Sequence, residues 1–538
     1  MSRIYFLQFK NGKDGFEIQP GLTILDYAQK LKIKINAECG GIGKCGKCVV
    51  RIEKGEENLN QLTSAEKKFD LGQKYRLACQ AKIIKDLSDI VVYIKDFGKY
   101  EILKYGKGKI VEIFPFYKRK GNNVYKNGEK VDIYRGGIYG LAIDIGTTTI
   151  VFDIVNLENG NIIGTVAKTN PQIIYGNDVI SRIEYTMVDK KEKRFLNEKE
   201  RKEKIYELQK VVVKMINDEI KKFDKEIFDK IYEVVIAGNS TMRNIFFIID
   251  VSTLGKIPYE PLNPESLIRN PDEIELKMNK NGEIYGLPLI GGHVGADIVA
   301  DILASEIYNE ENVCMLVDIG TNGEVVIGNK DKLLATSAAA GGAFEGVNIS
   351  CGVGGIEGAI KEINIINGKV YYSTIGNKYP IGICGSGLID LLSEMLKNKI
   401  IDEKARLKDG EFYITENIKI TQSDIFQLIT SKSAIKTSWQ VLSKIYPIDL
   451  KNIDKIFIAG GFGNFINVDS AIRIGLIPNI DKNKIIKIGN GSLEGAREVL
   501  LCYKKRKIAE EIARKTKHIR TNEIEPNFNY LLTENMYF

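Results

Sequence analysis

The stretch Leu141-Ala142-Ile143-Asp144-Ile145-Gly146-Thr147-Thr148-Thr149 is an apolar run closed by an acid, a glycine and three hydroxyls, and the chain carries this pattern twice. The second copy is Met315-Leu316-Val317-Asp318-Ile319-Gly320-Thr321-Asn322-Gly323-Glu324. Asp144 and Asp318 stand 174 residues apart. A repeat at that distance predicts two duplicated lobes rather than a solenoid, whose periods run from about 20 to 50 residues. Each copy reads as a buried strand, a tight turn and a second strand, Ile150–Val155 in one and Val325–Gly328 in the other. Such a turn brings backbone N–H groups and Thr hydroxyls close to phosphate oxygens, and the acid before it can hold Mg²⁺ directly or through water. Two such turns face to face would grip a triphosphate from both sides.

A third turn, Ile456-Phe457-Ile458-Ala459-Gly460-Gly461-Phe462-Gly463, leaves another apolar strand and could admit an adenine ring close to the backbone. The three turns, in this order, resemble the two phosphate motifs and the adenosine motif of the superfamily that unites actin, sugar kinases and heat-shock chaperones. Val234-Val235-Ile236-Ala237-Gly238-Asn239-Ser240-Thr241 looks like the connecting strand and turn of the first lobe. The resemblance covers residues 140–500 and implies an α/β, two-lobed, actin-like ATPase domain of the duplicated ribonuclease H-like type. It puts ATP at Gly146, Thr147, Thr148, Thr149 and Asn239, at Gly320, Thr321, Asn322 and Gly323, and at Gly460, Gly461, Phe462 and Gly463. In the small-residue run 337–346, Gly341 and Gly342 offer a helix start near phosphate. Asp144 and Asp318 are the expected catalytic acids. Asp297, one turn into a predicted helix, reads as a helix cap or solvated acid, with a role near the γ-phosphate as the alternative.

The N-terminal part carries a different signal. Cys39, Cys45 and Cys48 follow C-x5-C-x2-C spacing among four glycines, and Cys79 supplies a distant fourth thiol. Four thiolates with one distant member suit a [2Fe–2S] centre, at a spacing one residue longer than the C-x4-C-x2-C of plant-type ferredoxins. Zinc ribbons offer two C-x2-C knuckles where this chain has one. Strands at residues 4–9 and 16–19 around Asn11-Gly12, a helix capped by Thr23 and Asp26, and closing strands at 49–52 and 90–94 resemble the α+β β-grasp layout of those ferredoxins.

The predicted order is therefore a ferredoxin-like domain over 1–95, a basic linker over 96–137, the ATPase over 138–502 and a C-terminal tail over 503–538. Between Lys95 and Arg135 stand eleven Lys and Arg against five Asp and Glu. It reads as a tether with some structure. A charged run, 189–230, holds an apolar stripe, Ile205, Leu208, Val212, Met215, Ile216 and Ile220, which predicts a long surface helix. With 44% hydrophobic and 27% charged residues the chain is ordinary globular material. No stretch reaches the eighteen or so apolar residues of a membrane span, and the N-terminus does not read as a signal peptide, so a cytoplasmic protein is expected. The net charge of +7 comes with no nucleic-acid motif.

A one-electron centre fused to an ATP clamp narrows the function. A kinase has no use for the first, and an electron carrier needs the second only where the acceptor is too reducing. One electron costs about 1.4 kcal/mol per 59 mV uphill, and plant-type centres sit near roughly −400 mV. The architecture is similar to that of the reductive activators of corrinoid proteins. That resemblance implies one-electron reduction of inactive Co(II) to Co(I) in a corrinoid protein at the expense of ATP, an external low-potential electron donor, and a homodimer as an open expectation. Two other readings remain: an activator of 2-hydroxyacyl-CoA dehydratases or benzoyl-CoA reductases, and a redox-regulated phosphotransferase.

Overall fold

The computed structural model describes the chain apart from residues 1, 7–11, 13, 34, 36–40, 44–47, 70–73, 95–111, 190–191, 224–225 and 462–464. It divides into one unit of residues 1–99 with 356–358 and 379–382, and another of 100–355, 359–378 and 383–538. No described helix is long and apolar enough to cross a membrane.

In the first unit, β1 (Arg3–Tyr5), β2 (Phe16–Glu17), β3 (Val49–Lys54), β4 (Tyr75–Leu77) and β5 (Ile90–Ile94) form one sheet in the order β2-β1-β5-β3-β4. Pairing is antiparallel except between β1 and β5. Helix α1 (Ile24–Lys30) starts at the capping box its sequence predicts: Asp26 N–H donates to Thr23 Oγ1 at 3.2 Å and Thr23 N–H to Asp26 Oδ2 at 2.7 Å. Its buried Ile24, Leu25 and Ala28 join Ile4, Val50, Leu77 and Val92 in one core. This is the β-grasp plan. Asn11 of the expected hairpin turn and most of the cysteine loop lie outside the described residues.

The segment that carries Cys79 is tied down by a buried ion pair. Glu66 accepts from Arg76 Nε at 2.8 Å and Nη2 at 3.1 Å, and from the Leu77 amide at 3.1 Å. Burial alone would raise the Glu66 pKa, but Arg76 and the Thr63 and Leu77 bonds outweigh it and hold the carboxyl below its ordinary value. A carboxylate lowered on folding gives stability that is present above its unfolded pKa and is lost as the pH falls through the folded one. Glu66→Gln, which leaves Arg76 buried without a counter-charge, is expected to cost about 3 kcal/mol. Thermal loss of the visible absorption of the cluster should shift down by more than about 10 °C at neutral pH. The difference from the parent should narrow in acid, and an unchanged midpoint at pH 7 would remove the ion pair from the account.

The second unit opens with β6 (Tyr117–Lys120), β7 (Asn123–Lys126) and β8 (Glu129–Ile133), a three-stranded antiparallel sheet. The structure that the tether was expected to carry is this sheet, and its cause is local. Asn127 and Gly128 both take positive φ, the geometry of a tight hairpin, and Tyr117 and Val124 are fully buried in the core beside Tyr232. A lysine-rich composition hid that alternation.

Two sheets of one plan follow. In the first, β9 (Tyr139–Ile145), β10 (Thr149–Asn156) and β11 (Ile162–Thr169) run antiparallel, with β12 (Ile231–Gly238) parallel on the far side of β9. β13 (Leu267–Arg269) and β14 (Glu283–Gly286) complete the order β11-β10-β9-β12-β14-β13. In the second, β15 (Cys314–Ile319), β16 (Gly323–Gly328) and β17 (Leu333–Ala338) run antiparallel, with β18 (Ile456–Ala459) parallel beside β15. β19 (Ile485–Gly489) and β20 (Thr516–His518) complete the order β19-β18-β15-β16-β17-β20. Strand for strand, β15 repeats β9 and β18 repeats β12, so the sequence duplication is a duplication of fold. Both faces of β12 are covered: Val235 and Ala237 enter one core cluster, Val234 and Ile236 another.

Helices flank the sheets: α2 (Val179–Met187), α3 (Glu198–Ile220), α4 (Ser240–Phe246), α5 (Ala296–Ser305), α6 (Gln422–Ile445), α7 (Gly491–Leu501) and α8 (Lys504–Lys515). The predicted stripe buries Ile205, Leu208, Val212, Ile216 and Ile220 along α3. α5 and α7 cross so closely that a Cβ on Gly495 would collide with the Ala300 carbonyl. The expected tail is corrected as well, because residues 504–518 supply α8 and the edge strand β20, parallel to β17. One of its cations is held inside the fold: Arg506 donates to Glu233 and Glu283 at 2.5 and 2.6 Å.

Candidate functional site

The repeated motif ends each lobe's central strand in the same way. Asp144 lies in register beside Ala237 of β12 and Asp318 beside Ala459 of β18. The turn after Asp144 is held on three sides. Asn239, the N-cap of α4, donates to Thr147 Oγ1 at 2.9 Å, buried Arg182 of α2 donates to the Thr147 carbonyl at 2.6 Å, and Asn170 donates to the Gly146 carbonyl at 2.8 Å. A Cβ at Gly146 would sit 2.5 Å from the Thr149 carbonyl, so only glycine closes this turn.

The two turns meet. Thr148 Oγ1 and Thr321 Oγ1 are 3.2 Å apart, and both lie within hydrogen-bonding reach of Glu345 Oε2, which Thr148 meets at 3.1 Å. Behind them stand Asp144 and Asp297, with Asp301, Asp318 and Glu324 close by, and all five titrate above the ordinary carboxylate range. Burial is the first cause for each, and mutual repulsion adds to it. Asp144 is pushed up to about 6 in spite of the bond it accepts from Asn490 Nδ2 at 2.9 Å. Burial also raises Glu345, against its bonds from Thr321 and Thr148. Among the described residues no Lys or Arg pairs with any of the six. An all-oxygen, anionic donor set beside two turns of hydroxyls and amides suits a hard divalent cation such as Mg²⁺ together with a polyphosphate.

The expected residues fare unequally. Asp297 is no solvated acid: it is the second residue of α5, its Oδ1 accepts from the Ile298 amide at 2.9 Å, and it faces Asp318 and Asp144. Gly342 opens the turn that carries Glu345, preceded by Gly341 at φ +74°. Gly460, at φ +117°, packs on the Ile319 carbonyl, and Gly461 follows it in the same turn. Thr149 is already the first residue of β10, opposite Thr169. Gly320 N–H donates to the Asn322 carbonyl at 3.1 Å. Gly323 starts β16, and its missing side chain makes way for Ile435 of α6 rather than for a ligand. Phe462 and Gly463 lie outside the described residues. Four residues escaped the motif reading, Arg182, Asp301, Glu345 and Asn490, and Glu324 stood at the end of the quoted second copy without a role. Asp301 carried a signal, four residues after Asp297 on one helix face.

In the first unit, Cys48 at the start of β3 and Cys79 after β4 place their sulfurs 3.3 Å apart, both buried. That is far longer than the roughly 2.05 Å of a disulfide. It is nearer the roughly 3.8 Å edge of a thiolate tetrahedron built on metal–sulfur bonds of about 2.3 Å. The Ala78 amide donates to the Cys48 carbonyl at 2.8 Å and ties the two segments together. Gln80 Nε2 reaches the Gly41 carbonyl at 3.0 Å and Cys79 Sγ at 3.6 Å. The pair fits two of the four ligands of a [2Fe–2S] cluster. Cys39 and Cys45 lie outside the described residues.

Comparison with known proteins assigns a family to each part of the chain. Residues 8–83 match the family described as the 2Fe-2S iron-sulfur cluster binding domain, 139–310 the RACo middle region, and 312–538 the C-terminal domain of RACo, the ASKHA domain. The chain is similar to the corrinoid activation enzyme RamQ of Eubacterium limosum, with 29% identity over 94% of this chain and 95% of that one. It is also similar to the [Co(II) methylated amine-specific corrinoid protein] reductase of Methanosarcina barkeri, with 24% identity over 74% of this chain and 77% of that one. A solved structure titled reductive activator for corrinoid, iron-sulfur protein superposes with a TM-score of 0.73 and 29% identity, covering 100% of this chain and 98% of the other.

Proposed function

We propose, from the premise that the chain belongs to the reductive activators of corrinoid proteins, that it spends ATP to return an inactive Co(II) corrinoid protein to Co(I). The observation that carries this reading is one chain holding both the Cys48–Cys79 sulfur pair and the Thr148–Thr321 junction of two phosphate turns. When bound, the [2Fe–2S] cluster supplies a one-electron centre. The chain's own part there is to hold it on Cys39, Cys45, Cys48 and Cys79, with Gln80 donating toward one sulfur. The substrate cobalt gains one electron, which an external low-potential donor replaces.

At the nucleotide site Thr147, Thr148, Thr321 and the amides around Gly146 and Gly320 bind phosphate, while Asp144 and Asp318 orient Mg²⁺. Glu345 now occupies the Thr148 and Thr321 hydroxyls. An entering phosphate competes for both, so nucleotide binding must rearrange a contact that spans the two turns. A ligand shifts an equilibrium only by its different affinity for the two states, and this contact gives ATP such a difference. Several kcal/mol of uphill electron transfer are thereby coupled to closure of the two lobes. The position after the second turn carries Ser337, whose hydroxyl donates to Glu324 at 3.1 Å; no thiolate stands there for a cluster shared between two chains, as the dehydratase-activator reading requires. A cytoplasmic place of action and a homodimer remain part of the proposal.

The test is anaerobic. The protein, a Ti(III) donor and a Co(II) corrinoid protein are expected to yield the Co(I) spectrum only when ATP is added. Equal Co(I) formation without ATP, or none with it, would refute the function.

A further inference from the structure

The sheet of β6, β7 and β8 turns its two faces to different surroundings. Tyr117 and Val124 enter the core, with Tyr117 beside Tyr232, whose hydroxyl donates to Asp132 at 3.0 Å. Residues that alternate with these along the strands lie on the other face. The register lays that face out as two rows across the three strands. Lys118 stands opposite Tyr125 and Tyr125 opposite Lys130, while Lys120 stands opposite Asn123 and Asn123 opposite Ile133. Lys120, Lys130 and Ile133 are exposed, and Lys118 and Tyr125 are half-buried.

Neither row contains an acid. Asp132 belongs to the inner face, where Arg135, Tyr232 and Asn279 hold it, and Lys126 reaches inward to Glu283 at 2.7 Å. Glu129 stands opposite Lys126, off the outer face. Among the described residues none of Lys118, Lys120 and Lys130 pairs with a carboxylate. Lys118 Nζ lies over the Phe114 ring, a ring it shares with Lys504. The outer face thus presents three uncompensated ammonium groups around one tyrosine and one isoleucine, a surface whose complement is acidic.

Its place in the fold says which acidic partner. The sheet meets β12 at Tyr232, near the start of the strand, whereas Asn239, which holds the first phosphate turn, lies just past the other end. Six residues of strand between Tyr232 and Gly238 make about 20 Å. A protein seated on the outer face therefore leaves the phosphate turns untouched. The corrinoid protein, whose reduction depends on ATP, needs a surface that nucleotide reshapes; an electron donor does not. In sequence, residues 95–116 are all that separate β5 of the first unit from β6. A carrier held on the sheet is tethered to the cluster-bearing unit, at an effective concentration set by the chain between them.

We infer that the outer face of β6, β7 and β8 is the docking surface of the external electron donor, and that this donor is a protein with an acidic surface. The inference rests on the proposed function, which requires such a donor. One electron leaves the carrier and one arrives on the [2Fe–2S] centre, with no atom or proton exchanged. Lys118, Lys120 and Lys130 steer and orient the partner, and Tyr125 and Ile133 supply the apolar contact. So small a face suits the brief encounters of electron carriers rather than a stable complex.

The probe is a low-potential ferredoxin of strongly acidic surface, used with the full-length holoenzyme. Its oxidised form reports binding by calorimetry, and its reduced form reports cluster reduction by stopped flow. The triple variant Lys118→Glu, Lys120→Glu, Lys130→Glu is expected to weaken binding and slow reduction by about tenfold or more at low salt, and to lose the steep fall with salt that the parent shows. Reduction by Ti(III), which needs no protein surface, should match the parent, as should Co(I) formation with Ti(III) and ATP. Lys199→Glu, Lys202→Glu, Lys210→Glu, the same charge change on exposed residues of α3, should keep the parent's affinity. No Co(I) from the parent with Ti(III) and ATP would fault the proposed function and leave the carrier's binding to be read by itself. Unchanged carrier binding in the sheet variant would overturn the inference, and so would an equal loss in the α3 variant. A single-stranded oligonucleotide that binds the parent as tightly as the carrier would reduce the face to a general polyanion site. Loss of Ti(III)- and ATP-driven Co(I) formation with carrier binding retained would give the face to the corrinoid protein instead.

Discussion

Asp318→Asn is expected to lower ATP hydrolysis by on the order of a hundredfold to a thousandfold, the usual effect of removing one preorganised electrostatic group from a phosphoryl-transfer site. The side chain keeps its shape and loses only its charge. Asp318 ends the central strand of the second lobe, and its Oδ1 has no hydrogen-bond donor, so its free oxygen is available to a metal or to metal-bound water. The substitution also relieves repulsion among Asp144, Asp297 and Asp301. The thermal midpoint of the second unit should therefore hold or rise while activity falls, which a misfolded variant would not do. Cluster absorption should be unchanged, because the first unit has its own core. Asp144→Asn should also lose activity. Full hydrolysis by both variants would end the two-turn site.

How far the sequence could be read follows from what each residue's partner is. Asp144 and Asp318 were legible because their motif is local: strand, acid, glycine and hydroxyl are consecutive, and the copy 174 residues later points to a duplicated fold. Thr23 and Asp26 were legible for the same reason, since a capping box spans three residues. Glu345 was not, although it sits in a run already marked for its small residues, because its partners Thr148 and Thr321 come from both lobes. Arg182 was hidden in the same way: an arginine near charged sequence looks like solvated surface, yet this one is fully buried and donates to the carbonyl of Thr147. Arg506, in the basic segment 504–518, looked idle because its acids, Glu233 and Glu283, lie more than two hundred residues away. Composition records a charge without recording its partner. Segment 504–518 was misjudged on that ground.

Cys79→Ser is expected to remove the cluster and, with it, all electron transfer to cobalt, while ATP hydrolysis persists. A serine hydroxyl keeps the size of the side chain but gives a hard, weakly acidic oxygen where an iron–sulfur site requires a soft thiolate. The scaffold does not depend on the sulfur. Cys79 lies one residue beyond Ala78, whose amide bonds to Cys48 and whose carbonyl accepts from Leu25 at 2.9 Å, and Glu66 grips the Leu77 amide just before it. The protein should therefore fold with iron content reduced at least tenfold. Cys48→Ser should do the same, since its sulfur stands 3.3 Å from that of Cys79 and both would meet the same iron. Cys384→Ser is the contrasting case. Its buried thiol donates to the Ile360 carbonyl at 3.3 Å, a bond serine can also make, and iron content should not change. If Cys79→Ser kept the parent's iron, spectrum and potential, the fourth ligand would lie elsewhere, and the 3.3 Å sulfur pair would be a packing contact.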